Sequence, residues 1–298
     1  MGTTTTAYES RRQVDGVDRY RKKRNWRPLR IALFYAIVIP FLLIWLVPIF
    51  MTLVTAVRSL DDITMNGPFS WPSEIHLDNF AEAWDTGGLR QYMINSFVVT
   101  IPALAICLSL SSLAGFALAR FRFRGNLIIY FTFVGGSLLP FQILMLPVYR
   151  LANTLNLYDT YWALIIFHGA FQIGFCTFVL RNFIKTIPGE IFDAARIDGA
   201  SEFRIYRQHV LPLILPALAA LSTLQFTWIF NDYLWALILV QRDSLKPVTT
   251  GLASLRGEFI QAYNIQFAGT LIAVIPTVIL FVFLQRYFIQ GLTMGSGK

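Results

Sequence analysis

The chain has 298 residues, of which 55% are hydrophobic and 14% charged, with a mean hydropathy of +0.55. A soluble globular domain is closer to a quarter charged, so a water-soluble enzyme, a disordered chain and a disulfide scaffold are excluded. The net charge is +8. Its basic residues crowd into the first 30 positions and are sparse elsewhere, which argues against a nucleic-acid stripe on one folded face.

Crossing a hydrocarbon core takes about 20 apolar residues of helix. Stretches of that length occur at 31–57, 93–119, 127–148, 161–184, 213–240 and 268–289. Lipid tolerates no unpaired backbone, so each is expected to be a helix. The sequence therefore predicts an all-α integral membrane protein with six transmembrane helices. Residues 1–30 form a basic tail and 31–298 a single membrane domain. Lys and Arg divide unequally between the two faces. Nine lie in the tail up to Arg30, and the loops after the second and fourth spans add Arg120, Arg122, Arg124, Arg181, Lys185, Arg196, Arg204 and Arg207, with Arg286 and Lys298 at the end. The opposite face holds Arg58, Arg90, Arg150, Arg242, Lys246 and Arg256. This bias predicts a multi-pass protein with both termini cytoplasmic.

The first apolar run lacks a small-residue cleavage site and reads as an uncleaved span rather than a signal peptide. Arg11-Arg12 is only a weak twin-arginine pattern. The tail reads as a topology determinant, with contact to anionic membrane lipid as the alternative.

Between the fourth and fifth spans, residues 186–212 read Thr-Ile-Pro-Gly-Glu-Ile-Phe-Asp-Ala-Ala-Arg-Ile-Asp-Gly-Ala-Ser-Glu-Phe-Arg-Ile-Tyr-Arg-Gln-His-Val-Leu-Pro. Pro188 suits a first helical turn, because its missing N–H would be unpaired there anyway. Glu190 and Asp193 place negative charge near the helix N-terminus and share a face. Gly199 can adopt positive φ and end that helix. Ser201 is a candidate N-cap for a second short helix through Val210, after which Leu211-Pro212 opens the fifth span. The prediction is a helix–turn–helix on the cytoplasmic face. Ala194 and Ala195 are expected to leave one side of its first helix nearly flat, open to close approach by a partner. These residues alone leave open whether the hairpin serves a partner or is a capped surface feature.

At this point a resemblance becomes specific. Asp193-Ala-Ala-Arg-Ile-Asp-Gly199, followed after eleven intervening residues by Leu211-Pro212, resembles the EAA loop of permease subunits of ABC importers, in its carbohydrate, maltose-type form. Phe121-Arg-Phe-Arg-Gly125, the segment Trp228-Ile-Phe-Asn-Asp-Tyr-Leu-Trp235 and Tyr287-Phe-Ile-Gln-Gly291 are similar to the same family. So are Trp71-Pro72 and Asn79-Phe80 in the loop before the second span. Asp193 stands where the family usually has Glu. The resemblance implies that Glu190, Asp193, Ala194, Ala195, Asp198, Gly199, Leu211 and Pro212 couple the chain to an ATPase. It implies a second six-span permease subunit, two ATP-binding subunits carrying ATP and Mg, an extracytoplasmic solute-binding protein, and a bacterial or archaeal cytoplasmic membrane. It also implies that the last external loop, about 241–267, can reach into the binding protein.

The sequence carries no phosphate cradle of the type Gly-x-x-x-x-Gly-Lys-[Ser/Thr], so no cofactor is expected on this chain and ATP hydrolysis is expected elsewhere. His76, His168 and His209 are scattered. No metal cluster and no catalytic nucleophile setting appears. Cys107 and Cys176 lie in apolar runs and read as packed small side chains. His168 reads as an interhelical hydrogen-bonder. Asn95, Gln142 and Gln172 are further polar groups within spans. Gln225, Trp228, Asn231 and Asp232 concentrate on the fifth span, with Gln225 and Asp232 seven apart on one helical face. Amides and a carboxylate beside an aromatic ring suit sugar binding, so these four are read as lining the translocation path; the alternative is helix–helix adhesion. Two other function classes compete with a sugar importer permease. One is a membrane-embedded lipid- or glycan-handling enzyme using Asp232 or His168, and the other is an ion-coupled secondary transporter.

Overall fold

The computed structural model describes residues 27–254 and 262–294, and among them every regular element is helical. Residues Met1–Met51 and Thr52–Lys298 form two compact units. The described part of the first is 27–51, which belongs to helix α1, Arg27–Ala56. Large apolar side chains from Ile31 to Phe50 on α1 are exposed to the surroundings, as expected of a helix whose solvent is lipid or another protein.

The second unit begins with two short helices, α2 (Leu60–Asn66) and α3 (Asp78–Trp84). Helix α4, Leu89–Arg120, has 32 residues, about 48 Å at 1.5 Å per residue, more than the hydrocarbon core demands. It packs on α7 (Tyr161–Phe171) and α8 (Ile173–Lys185), which run on as one candidate span, Tyr161–Lys185. In lipid such packing relies on close backbone approach at small residues. A Cβ at Gly115 would lie 3.1 Å from the backbone N of Arg181. Cys107 and Cys176 meet across the α4–α8 contact as free buried thiols, Sγ to Sγ 3.8 Å.

Two predicted spans differ from the observed ones. The third is a pair of helices, α5 (Asn126–Ser137) and α6 (Phe141–Thr154), bent by 99°. Pro140 stands at the break and disfavours helical geometry at Leu139 before it. Gly135-Gly136 just upstream adds backbone entropy that a helix must overcome. The fifth span is shifted toward the N-terminus. A short helix α9 (Gly189–Ile197) is followed by α10 (Glu202–Ile205), a π turn at Tyr206–Val210, and α11 (Leu211–Phe230). Together Glu202–Phe230 pass as one candidate span. The second hairpin helix is thus continuous with the fifth span instead of ending at Val210. The π turn falls just before Pro212: the N–H of Leu211 reaches back five residues to Tyr206 O, a local widening where the next residue has no N–H to offer.

Beyond Phe230 the chain leaves the helix and restarts as α12 (Leu234–Leu239), then α13 (Val248–Ser254) and the last span α14 (Tyr263–Met294). The restart has a local cause. Thr227 O already accepts from Asn231 N and Asn231 Nδ2, while the Asp232 carboxylate accepts from Trp235 N at 3.4 Å and Ala236 N at 3.0 Å. That is the capping chemistry that starts a new helix. The basic tail 1–26, the tip 255–261 of the last predicted external loop and the terminal residues 295–298 lie outside the described residues.

Candidate functional site

Two sites emerge, at the two ends of the Glu202–Phe230 rod. The first is the α9–α10 hairpin. Gly199 has φ +75°, and Gly199 N donates to Arg196 O while Ala200 N donates to Ala195 O. This is the Schellman pattern that satisfies the last carbonyls of α9. Ser201 Oγ accepts from Arg204 N at 3.3 Å and caps α10. Both devices are where the sequence placed them. Arg196 Nε donates to Glu202 Oε1 at 2.8 Å, and Arg196 Nη1 to Asp193 Oδ1 at 3.1 Å, so one guanidinium pins the two helices together. The Glu202 carboxylate, more than the burial that opposes it, holds that guanidinium above its ordinary pKa.

The inner face of α9 is fused to the membrane-spanning core. Phe192 and Ala195 are buried with Ile205, Val210 and Ile214. Phe192 stacks on Phe116 at 6.5 Å and carries the Arg120 guanidinium 3.7 Å above its ring. Arg120 Nη2 also donates to Ile184 O at 2.7 Å and Ile187 O at 2.5 Å. The expectation that Ala194 and Ala195 together form an outward flat face is corrected here. Only Ala194 is exposed, because the 100° step of the helix turns Ala195 into the core. The outward surface carries Glu190, Asp193, Ala194 and Asp198, and with them Ile197, 86% exposed, and Phe203, 65% exposed. These two apolar side chains were missed from sequence. The signal was available, since each is a large hydrophobe inside a charged hairpin with no place in the 3.6-residue inward stripe. Leu211 is half-buried against the hairpin core and Pro212 is exposed.

The second site is a cavity of about 710 Å³ where α11 ends. Trp228, Asn231 and Asp232 line it, with Thr223 and Thr227 above and the rings of Phe141, Phe171, Tyr233, Trp235 and Phe281 around it. Gln225 does not share it. It is buried on another side of α11 and lines an adjoining cavity of about 420 Å³ with Gln172, Ser137 and Trp228. The predicted common face of Gln225 and Asp232 fails because the helix stops at Phe230, so the seven-residue spacing spans a break. Gln225 Oε1 is buried with no hydrogen-bond partner among the described residues. Asp232 is heavily engaged: besides its two amide donors it lies 3.6 Å from His168 Nε2, and its backbone carbonyl accepts from Thr249 Oγ1. His168 is 2% exposed and bridges two elements, as an interhelical partner should. Asn95 is also consumed structurally. It donates to Ser244 O and Lys246 O and accepts from Gln91 and Tyr161, which anchors the segment before α13 to α4. No Lys or Arg lines the 710 Å³ cavity among the described residues.

These features define a class: a multi-pass helical membrane protein with a core-anchored surface hairpin joined by one rod to an aromatic, amide-bearing cavity. The chain belongs to the family of binding-protein-dependent transport system inner membrane components, whose model matches residues 92–294. It is 37% identical over 228 residues to the arabinooligosaccharides transport system permease protein AraQ of Halalkalibacterium halodurans, covering 76% of this chain and 81% of AraQ. It is 32% identical over 266 residues to the probable ABC transporter permease protein YurM of Bacillus subtilis, covering 89% and 85% of the two chains. Its fold matches a chain in the crystal structure of a bacterial ABC transporter involved in the import of the acidic polysaccharide alginate, with a TM-score of 0.77, 23% identity, and 89% and 98% coverage. The protein is therefore a transport permease subunit rather than an enzyme, and the ATPase of such importers resides on separate subunits.

Proposed function

We propose that this permease subunit imports an uncharged saccharide. It would pair with a second permease subunit, two ATP-binding subunits that hold ATP and Mg, and an extracytoplasmic solute-binding protein, in a bacterial or archaeal cytoplasmic membrane with both termini inside. The observation that carries this reading is mechanical. Glu202–Phe230 is 29 residues long, about 43 Å of helix. One end belongs to the hairpin and the other supplies Thr223, Thr227 and Trp228 to the cavity. A partner that moves the hairpin moves a cavity wall with it, which is the requirement for switching access between two faces of a membrane.

On the hairpin, Glu190, Asp193, Ala194, Ile197, Asp198 and Phe203 form the face offered to an ATPase groove. Ala195, Gly199 and Leu211 keep that face rigid, and Pro212 enters the rod. In the cavity, stacked rings and the Asn231 amide suit the apolar faces and hydroxyl edges of a sugar, and among the described residues no cation is offered to a uronate or a phosphate. AraQ, named for arabinooligosaccharides, supports the carbohydrate class. The test is ATP-dependent uptake by the assembled complex in proteoliposomes. Ile197→Asp is expected to abolish both uptake and binding-protein-stimulated ATPase while the permease subunits stay paired. Uptake abolished by an ionophore without ATP would make the chain an ion-coupled transporter, and substrate turnover by the purified chain alone would make it an enzyme.

A further inference from the structure

Two buried arginines carry their charge in different ways. Arg58, in the loop after α1, is fully buried, and its guanidinium donates to Asp62 Oδ2 at 2.5 Å, Asp62 O at 2.9 Å, Gly67 O at 3.0 Å and Ser70 Oγ at 2.5 Å. Asp62 also accepts from Asn66 Nδ2 and Ser73 Oγ, both at 2.7 Å. Hydrogen bonds from Arg58, Ser73 and Asn66, in that order, hold its carboxyl well below the usual carboxylate range. Asn79 Nδ2 donates to Ala56 O and Arg58 O, and Asn264 Nδ2 donates to Asn79 Oδ1 at 2.8 Å. This outer scaffold neutralises its own cation.

Arg181, on the face predicted to be cytoplasmic, has no such partner. It is 7% exposed. Its Nε donates to Leu118 O at 3.3 Å and its guanidinium lies 3.8 Å above the Tyr130 ring. Among the described residues its two Nη groups meet no acceptor, and no carboxylate pairs with it. A buried guanidinium without a counter-charge is costly, and an aromatic ring offsets only part of that cost. Arg181 lines a cavity of about 640 Å³ together with Arg122 and Lys185, and no Asp or Glu lines it. The start of the 12-residue helix α5 adds to the positive potential. Gly125, at φ +90°, has no side chain to cap it, and Asn126 Nδ2 is committed to Leu118 O and Phe121 O. The amides of Leu127 and Ile128, on the same cavity wall, therefore meet no acceptor among the described residues.

Depth and surroundings identify what carries the missing anion. The candidate spans Leu89–Arg120 and Tyr161–Lys185 both end at this cavity, which sets it at the level of lipid headgroups. No residue of α5 is buried, and Leu127, Ile128 and Phe131 are between 57% and 73% exposed, so an apolar wall leads from the cations along α5. We propose that the cavity formed by Arg122, Arg181 and Lys185 binds the phosphate of an anionic phospholipid whose acyl chains lie along α5. The headgroup supplies the charge that Arg181 lacks. It also braces the corner from which Arg120 reaches Ile184 O and Ile187 O, so hairpin anchoring depends on lipid charge. An acidic surface of an ATPase subunit is the weaker candidate for the same cations. A subunit facing Glu190, Asp193 and Asp198 on the hairpin needs basic groups there, the sign that Arg122 and Lys185 would repel.

The test places the complete complex in nanodiscs with a fluorophore on Thr132→Cys, one turn along α5 from Ile128. Quenching by brominated phosphatidylglycerol is compared with quenching by brominated phosphatidylcholine at equal mole fraction. The wild-type cavity is expected to favour phosphatidylglycerol by about tenfold or more, and Arg122→Ala with Lys185→Ala to lower that preference by about fivefold for each cation removed. Arg181→Met removes the unpaired charge; it should lose the preference and make the unfolding temperature independent of phosphatidylglycerol, which stabilises the wild type. Equal quenching by the two lipids in the wild type overturns the proposal. So does an Arg181→Met complex that keeps the preference and is destabilised equally in both lipids, which would make Arg181 a packing residue only. Inorganic phosphate that stabilises the wild type in phosphatidylcholine as well as phosphatidylglycerol does overturns the lipid as the source. Loss of ATPase subunits from the Arg122→Ala, Lys185→Ala complex with its lipid preference intact assigns these cations to the ATPase and overturns it too.

Discussion

Asp232 decides how the cavity should be read, because a carboxylate in a sugar path and a carboxylate that caps a helix respond differently to the same substitution. Both of its oxygens accept backbone N–H groups of α12, at 3.4 and 3.0 Å, and one lies 3.6 Å from His168 Nε2. Replacing a capping Asp by Ala costs about 1 kcal/mol, within a range of roughly 0.5–2, whereas Asn at a cap is nearly equivalent to Asp. Asp232→Ala also strands two amides at the edge of a buried cluster where water cannot fully replace the lost acceptor, which pushes the cost toward about 2 kcal/mol. At 1–2 kcal/mol the ratio of intact to locally opened α12 falls by a factor of about 5–30. The expected result is that Asp232→Ala lowers thermal stability and uptake together, while Asp232→Asn keeps uptake within about threefold of wild type, since half a kcal/mol is only a factor of two or three. The assay is saccharide uptake in proteoliposomes at several concentrations, beside thermal unfolding of the same preparations. If Asp232→Asn loses as much uptake as Asp232→Ala while its thermal stability is unchanged, the carboxylate contacts the passing sugar and the capping account is wrong.

Three other outcomes follow from the geometry. At Gly199, φ is +75° and the space a Cβ would enter is open, so Gly199→Ala suffers from backbone strain rather than collision, about 1–2 kcal/mol; hydrogen exchange should show faster opening of the 186–200 hairpin, and equal protection would refute the strain. Ala194→Asp and Ala195→Asp should separate cleanly. The first adds charge to an exposed face and should reduce only ATPase-subunit affinity, whereas the second buries a carboxylate among Phe192, Ile205 and Val210 and should lower the amount of folded protein in the membrane, measured by quantitative blotting and size exclusion. For the outer scaffold, the Asp62 carboxyl has a folded pKa below its unfolded one. Its stabilising contribution is therefore complete above the unfolded carboxylate value, near 4, and disappears as pH falls below that toward the folded value; the difference in thermal stability between wild type and Asp62→Asn should stay level from pH 8 to about 5 and shrink only on further acidification.

The hairpin was legible because its rules are local. Gly199 and Ser201 are read from the chain itself, and the Schellman turn and the N-cap appear where those residue types permit them. The two spans whose course differs from the expected one share a related reason. Hydropathy counts apolar length and is blind to a backbone interruption inside an apolar run, so it joined Asn126–Ser137 to Phe141–Thr154 across Pro140, and α11 to α12 across Asn231-Asp232. In the second case the interruption is caused by the same Asp232 that the linear sequence offered as a ligand. Ala195 shows another limit: both alanines are small, and only the helical phase fixed by Phe192 packing on Phe116 decides which one faces out. The Arg58 scaffold was invisible because its partners run from Asp62 to Asn264 and no spacing rule links them.

The energetics of coupling favour the arrangement at the hairpin. A moving partner transmits work only if the element it grips yields less than the equilibrium it must shift, and moving a two-state balance from 1:99 to 99:1 takes about 5.5 kcal/mol. A loop held by solvent-exposed ion pairs would give way first, since each such pair is worth at most about 1 kcal/mol. Here the exposed Arg196 bridges only join α9 to α10. The grip on the core comes from buried Phe192, Ala195, Ile205 and Val210 and from Arg120 bonding to two carbonyls above the Phe192 ring. Truncating a single buried side chain of this size costs about 2–5 kcal/mol, so the anchored hairpin resists loads of the magnitude that switching requires. Its outer face stays exposed, as the proposed docking and release of a partner require.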